Sequence, residues 1–239
     1  MPREADVVQA IVLMADTLVD DYDVIDVLTG LTDRCVNLLD VSAAGVMLVS
    51  PQGELRLVAS SSEAMRVLEL YELQAEEGPC LDAFHSGEPV GHEHLSTESG
   101  RWPVFSVAAV KAGFRSVVAL PLRLREKTIG ALNLFSVEEA PMADANAVVA
   151  RAFADLATIS VLQHRASAEA QRLNQQLSGA LTSRIIIEQA KGVIAERRGV
   201  GMEEAFLRLR GYARNNRLRL TAVAQSCVDG TLDSTARNL

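Results

Sequence analysis

The sequence comprises 239 residues, so two modest domains of roughly 100–150 residues, each able to bury a core, are expected rather than one. Hydrophobic residues make up 49% and charged residues 23%, an ordinary globular balance that excludes a largely disordered or collagen-like chain. The net charge of −8 is divided unevenly, with 11 Lys+Arg against 24 Asp+Glu in residues 1–163 and 12 against 7 in residues 164–239, so a basic end follows an acidic body. That is the balance of a polyanion-binding module attached to a regulatory one, or of a solvated helical tail.

Apolar residues at helical spacing open the chain: Val8, Ile11, Val12 and Ala15, then Val24, Ile25, Leu28, Leu31, Val36 and Leu39. They predict two helices broken near Asp20-Asp21-Tyr22-Asp23, the first within residues 1–20. Short β-rich runs, Ala43 to Val49 and Leu55 to Ala59, flank Ser50-Pro51-Gln52-Gly53-Glu54, whose Pro and Gly suit a hairpin turn. A helical stretch from Ser62, with Glu69 and Leu70 inside it, ends near Glu77-Gly78-Pro79. A second strand pair, Ser116 to Leu122 and Thr128 to Phe135, is joined by the charged turn Arg125-Glu126-Lys127.

After Pro141 the pattern is helical throughout. Val148, Ala152, Phe153, Leu156, Ile159 and Leu162 form one broad face, and Ala166, Ala170, Leu173, Leu177, Ala180, Arg184 and Ile187 continue in four- and three-residue steps close to a heptad seam. A helix from Asp144 to Arg197 would be roughly 80 Å long at 1.5 Å per residue, too long to lie against one small domain. It is expected to bridge two domains and to pair with its twin in a homodimer. Two helices jointed near Ser178-Gly179 are the alternative.

No apolar run reaches the roughly 18 residues of a bilayer span, and Met1 to Ala10 lacks a basic-then-apolar signal pattern, so a cytoplasmic chain with no membrane partner is expected. Cys35, Cys80 and Cys227 are odd in number and widely spaced, which offers neither a disulfide framework nor a CxxC site. His92-Glu93-His94 would put two imidazoles on one strand face, but no further ligand follows at metal spacing. Cys80, after Gly-Pro at a helix start, is either a thiol of lowered pKa or a small buried residue. With no phosphate-cradling loop and no Ser/His/Asp arrangement, no catalytic residue, metal or cofactor is expected.

The phrases Glu77-Gly78-Pro79-Cys80-Leu81-Asp82-Ala83-Phe84, Gly87-Glu88-Pro89-Val90, Arg101-Trp102-Pro103, Ala112-Gly113-Phe114-Arg115-Ser116, Leu120-Pro121-Leu122 and Ile129 to Leu134 follow in an order that resembles a GAF domain over residues 21–164. The resemblance implies an antiparallel sheet flanked by helices and a small-molecule pocket on one sheet face, for which Cys80, Trp102 and Phe114 are candidate lining residues. Leu181 to Ile194, Met202 to Asn215 and Leu220 to Ala224 look like an ANTAR domain over residues 182–239. That family binds paired hairpin loops in nascent leader transcripts through a three-helix unit and prevents a terminator from forming. The implied fold class is α+β: a GAF-like sheet domain, residues 165–181 as a coiled-coil linker continuing its closing helix, and an all-α ANTAR-like unit.

Independently of the family, Ala205, Leu209 and Ala213 make a small-residue stripe, with Arg210, Arg214 and Arg217 as a basic ridge beside it. RNA loops are read by stacking on aromatic or guanidinium planes with cations on phosphates. Together with what the ANTAR resemblance implies for Leu181 to Ile194, the candidate RNA contacts are Arg184, Gln189, Ala190, Lys191, Gly192, Ala205, Arg210, Tyr212, Ala213, Arg214 and Arg217, with Lys191-Gly192 allowing a close nucleotide approach. For the alanines and Gly192, core packing is the competing reading. Two other functions stay open: a GAF-type ligand-binding or redox enzyme with a helical tail, and a DNA-binding regulator in which Leu220 to Ser226 begins a helix-turn-helix. Only nine residues, Thr231 to Leu239, would remain for the recognition helix of the latter.

Overall fold

The computed structural model of the chain describes residues 4–16, 23–97 and 100–231. Most of the predicted break at residues 20–23, and residues 232–239, lie outside them. The chain divides into two units, Met1–Ala166 and Ser167–Leu239.

The first unit opens with α1 (Glu4–Asp16) and α2 (Val24–Leu38), the latter capped by Asp23, whose carboxylate accepts from the Ile25 N–H at 2.8 Å. β1 (Ala43–Val49) and β2 (Leu55–Ser60) form the expected hairpin. Ser62 caps α3 (Glu63–Ala75), which ends on Glu76 in the left-handed conformation. Pro79, suited to a first helical turn, starts α4 (Pro79–Ser86). β3 (Val90–His92), α5 (Pro103–Lys111), β4 (Ser116–Leu124) and β5 (Lys127–Ser136) follow, and α6 (Asp144–Arg198) begins in this unit.

The five strands form one antiparallel sheet in the order β2-β1-β5-β4-β3. Because strand side chains alternate between faces, the central strands feed two cores. Ala44, Val46, Leu48, Leu120, Leu122, Leu132 and Leu134 pack against α1, α2 and the Ala150–Val161 stretch of α6. Ala43, Met47, Val117, Ala119, Ala131 and Phe135 pack against α3, α4 and α5. Gly45 pairs with Asn133 across β1 and β5 and shares the second face by the same alternation.

The second unit comprises the rest of α6, then α7 (Met202–Asn215) and α8 (Leu220–Val228). Gly199, at φ 64°, and Gly201 separate α6 from α7. Ala190 and Ile194 from α6, Ala205, Leu209 and Ala213 from α7, and Val223, Ala224 and Cys227 from α8 make its core. α6 is one helix of 55 residues through Ser178-Gly179, not two. By length and apolar composition it could cross a bilayer, which a count of uninterrupted apolar residues did not show. Its apolar side chains Ala150, Phe153, Ala154, Ala157 and Val161 are buried against the sheet.

Candidate nucleic-acid interface and ligand site

In the second unit, burial sorts the candidate RNA contacts. Ala190 and Ala205 are wholly buried and Ala213 nearly so, packed with Ile194, Leu209 and Val223, so their methyl groups form the helix seam and not the outer surface. Arg184, Gln189, Arg210, Arg214 and Arg217 are exposed. Arg217 does not extend the α7 ridge: α7 ends at Asn215, and Arg217 sits at φ 55° in the turn to α8. Tyr212 is half-buried against the core. Lys191 pairs with Glu188 at 2.8 Å and lies over the Phe206 ring at 5.8 Å.

Away from its packed stripe, α7 carries Leu207, Arg210, Gly211 and Arg214 at i, i+3, i+4 and i+7, one continuous face. Leu207 is 65% exposed. Among the described residues, no salt bridge engages Arg210 or Arg214, whereas Arg208, on another side of the helix, is paired with Glu204 at 2.6 Å. Gly192 in α6 and Gly211 in α7 border open space, since a Cβ at either would meet nothing within 4 Å. Neither absent side chain is required by packing within the chain.

In the first unit, Cys80, Trp102 and Phe114 share the second core. Aromatic rings link it through Trp102–Phe105 at 6.1 Å, Phe105–Phe135 at 6.1 Å and Phe114–Phe135 at 5.0 Å. The Trp102 indole N–H donates to Asp82 at 3.0 Å, and the Arg101 guanidinium binds the same carboxylate at 2.9 Å. Three polar residues that the sequence reading did not single out for function lie in this core: Glu69, Glu72 and Asn133, all wholly buried. Asn133 donates to Glu69 Oε1 at 3.4 Å, and Glu72 Oε1 accepts from the backbone N–H groups of Cys80 at 2.6 Å and Leu81 at 3.3 Å. Glu69 Oε2, Glu72 Oε2 and Asn133 Oδ1 have no partner. Each unpaired buried acceptor costs about 1–3 kcal/mol.

Burial dominates the electrostatics here. It pushes the Glu72 carboxyl up to about 8 against the opposing effect of the Cys80 and Leu81 N–H groups, and it raises Glu69 well above the usual carboxylate range, with the Glu72 charge adding to the effect. The Cys80 thiol is raised by burial and then by the two glutamates, and burial takes Cys35 to about 12. Both thiols are held protonated, the opposite of a reactive cysteine. Cys35 and Cys80 lie in the two different cores, on opposite sheet faces.

His92 and His94 are not a chelating pair on one strand face. β3 ends at His92, which lies edge-on to Trp102 at 6.3 Å, while His94 faces Glu139 at 3.8 Å. An open groove of about 520 Å³ lies beside Leu39, Leu120, Leu134 and Asn146. Its inner polar groups are engaged: Asn146 donates to the Leu39 carbonyl at 3.0 Å and Ser116 to the Glu138 carbonyl at 2.9 Å.

A sheet domain with polar groups enclosed in one core, together with a three-helix unit bearing an exposed basic face, defines a two-domain chain of α+β class. The chain belongs to the GAF domain family, whose model matches residues 21–161, and it carries an ANTAR domain at residues 175–228. Among solved structures it is similar to the GAF domain of a phosphoenolpyruvate-protein phosphotransferase from Coxiella burnetii, with a TM-score of 0.55 at 13% identity over 69% of this chain and 98% of that one. The corresponding domain from Acinetobacter gives 0.52 at 15% identity over 66% and 94%. A free methionine-R-sulfoxide reductase from Neisseria meningitidis, in complex with its substrate, gives 0.53 at 15% identity over 70% and 96%. These likenesses establish the shared fold. No curated protein matches the sequence.

Proposed function

We propose that the chain is a transcription antitermination regulator in which the ANTAR domain binds paired hairpin loops of nascent leader transcripts and the GAF domain supplies a small-molecule input. The observation that carries the reading is the outer face of α7, where Arg210 and Arg214 stand exposed beside Gly211, within a domain of the ANTAR family. Guanidinium groups neutralise phosphates and stack on splayed bases, and a glycine beside them lets a sugar-phosphate backbone come close. The acting molecule is a homodimer joined through α6. The redox-enzyme alternative is disfavoured by the buried, protonated state of Cys35 and Cys80. The DNA alternative requires a recognition helix after α8, and none follows α8 among the described residues, which end at Thr231.

The test is RNA capture from cells with the full chain, followed by affinity measurement on a captured double hairpin. Arg210→Glu is expected to weaken binding at least tenfold and Arg123→Glu, in β4, to leave it within twofold, since one charge-assisted guanidinium–phosphate contact is worth about 1.5–3 kcal/mol and Arg123 is instead paired with Glu88 at 3.2 Å. A fragment of residues 165–239 is expected to retain binding. Affinity should fall steeply with salt, because neutralising phosphates releases counterions. Equal effects of the two substitutions on a captured hairpin would overturn the assignment.

A further inference from the structure

Met65, Leu68, Glu69 and Glu72 follow at i, i+3, i+4 and i+7 on α3, so two acids occupy the stripe that faces the sheet, and all four side chains are buried. The fold makes room for both carboxylates. A Cβ at Gly45 on β1 would collide with the Glu69 carboxylate, and one at Gly78 would collide with that of Glu72. Glu72 is drawn to the first turn of α4 by the Cys80 and Leu81 N–H groups, where the partial positive charge of a helix start favours an anion. What is left over is three acceptor oxygens, Glu69 Oε2, Glu72 Oε2 and Asn133 Oδ1, buried without a partner. Two acids and an amide with spare acceptors make a poor packing solution and a good donor-binding one.

We propose that Glu69, Glu72 and Asn133 form the recognition end of the sensor site and that its ligand presents a small cationic nitrogen carrying N–H donors, a primary alkylammonium being the simplest form. This rests on the reading of the GAF domain as the input domain. Once the glutamates give up their protons, an ammonium group offers three N–H donors to the three unpartnered oxygens and balances the charge that ionisation creates. Met47, Met65, Ala131 and Phe135 share the core that encloses these groups, so the part of a ligand that follows its ammonium into this face of the sheet must be apolar. Among the described residues no group of three or more His, Cys, Asp or Glu surrounds the site, and a hard metal ion on the two carboxylates and the amide is the competing occupant that the experiment separates.

Binding is coupled to protons. The titratable groups facing the pair are Cys80, whose thiol stays protonated, and Asp82 on α4, whose charge adds to the effect of burial on Glu72; burial and the mutual repulsion of the pair keep the glutamates protonated in the free protein near neutral pH. A bound cation favours their ionised forms. Protons leave as it enters, and affinity rises with pH toward about 8, by up to tenfold per pH unit for each proton released.

Trp102, the only tryptophan in the sequence, lies in the same core and reports on it by fluorescence. The experiment titrates the full chain with n-butylammonium chloride, using calorimetry in buffers of different ionisation enthalpy to count protons, with 1-butanol and butyltrimethylammonium as controls. Saturable binding of n-butylammonium with proton release is expected, at least tenfold tighter than either control and weakened at least tenfold by Glu69→Gln or by Glu72→Gln. Both amides are near-isosteric and remove a buried acid, so the variants are expected to fold with melting temperatures at or above that of the parent. Equal binding of the controls, the same response from Mg²⁺ or Mn²⁺, parent-like affinity in both variants, or no response at millimolar n-butylammonium would each overturn the proposal. RNA binding is measured on the same preparations. RNA binding without an ammonium response removes this assignment alone, whereas an ammonium response without RNA binding removes the antitermination reading and leaves the site standing.

Discussion

Gly192 carries a cost that the fold of its own unit does not require. A glycine inside a helix is about 0.8–1.0 kcal/mol less favourable than alanine, and at Gly192 a Cβ would enter open space. Gly192→Ala is therefore expected to stabilise the chain by about 0.5–1 kcal/mol in urea unfolding while weakening RNA binding severalfold, because the methyl occupies the approach left for the nucleotide backbone. Improved stability with unchanged RNA affinity would show that the surface above Gly192 is not used. Glu69 and Glu72 give a second expectation. Both carboxyls are raised in the folded state, Glu72 to about 8, from an unfolded value of about 4.3. Between those values the folded state binds more protons than the unfolded one, so the contribution of the pair to stability is complete below about pH 4 and is lost as pH rises through about 8. The melting temperature of the parent should fall between about pH 5 and pH 8, and the Glu69→Gln/Glu72→Gln double variant should show a shallower fall. Identical slopes would mean that the pair does not titrate as its burial dictates. The pattern that places these acids, two glutamates on an apolar helical stripe, is present in the sequence, but their unpaired oxygens depend on Gly45 and Asn133 meeting across β1 and β5. Ala190, Ala205 and Ala213 illustrate the reverse ambiguity. Small residues at four-residue spacing suit a tight helix seam and a close RNA approach equally, and the choice is made by Ile194, Leu209 and Val223 closing around them.

Among the elements, α6 combines two kinds of surface. Up to Val161 it buries Ala150, Phe153, Ala154, Ala157 and Val161 against the sheet, while Val148 and Ile159, expected on the same face, are exposed, and from Gln163 to Gly179 it is exposed along its whole circumference. Leu173, Leu177, Leu181 and Ile185 are 47%, 63%, 63% and 57% exposed, a run of large apolar side chains at four-residue steps that a monomer leaves in water. Burying one such leucine contributes about 1.5–3 kcal/mol, and a second copy of the helix alongside would cover the adjacent pair Leu173 and Leu177, from which the run winds about 40° around the helix at each further step. The chain is expected to sediment as a dimer at micromolar concentration, and Leu173→Glu/Leu177→Glu to shift it to monomer while leaving the circular dichroism of the two folded units intact. A parent chain that sediments as a monomer with and without RNA would refute pairing through this helix. The heptad-like spacing made this element legible in the sequence, as alternation did the two hairpins of the sheet. α5 was not, because Pro103 to Lys111 is apolar nearly all round and has no periodic face: Phe105 and Ala109 are buried while Val104 and Val107 remain exposed.

For the whole molecule, the question is how an input in the GAF domain reaches the ANTAR domain. The helix α6 contributes Phe153, Ala154 and Ala157 to the core of the first unit and Ala190 and Ile194 to the core of the second, and the division between the units falls within it at Ala166 and Ser167. A helix shared by two cores transmits a change of rotation or register without any direct contact between ligand and RNA, and in a dimer it would move both RNA-binding units together. Linkage then demands reciprocity: if the sensor ligand alters RNA affinity by some factor, RNA must alter ligand affinity by the same factor, expected at roughly 5- to 150-fold for a coupling of about 1–3 kcal/mol. The measurement is a titration of n-butylammonium with and without a saturating captured hairpin, repeated on a chain with a flexible Gly/Ser segment inserted between Ser167 and Ala168. The insertion interrupts the helix at the division between the units and leaves every residue of both cores in place, so ligand binding and RNA binding are expected to persist separately while their mutual effect falls toward onefold. Coupling that survives the insertion would refute transmission by the helix. Absence of coupling in the parent would leave the GAF domain as a scaffold that brings two ANTAR domains to one transcript, where binding both hairpins at once raises the effective concentration of the second contact with no signal passing along α6.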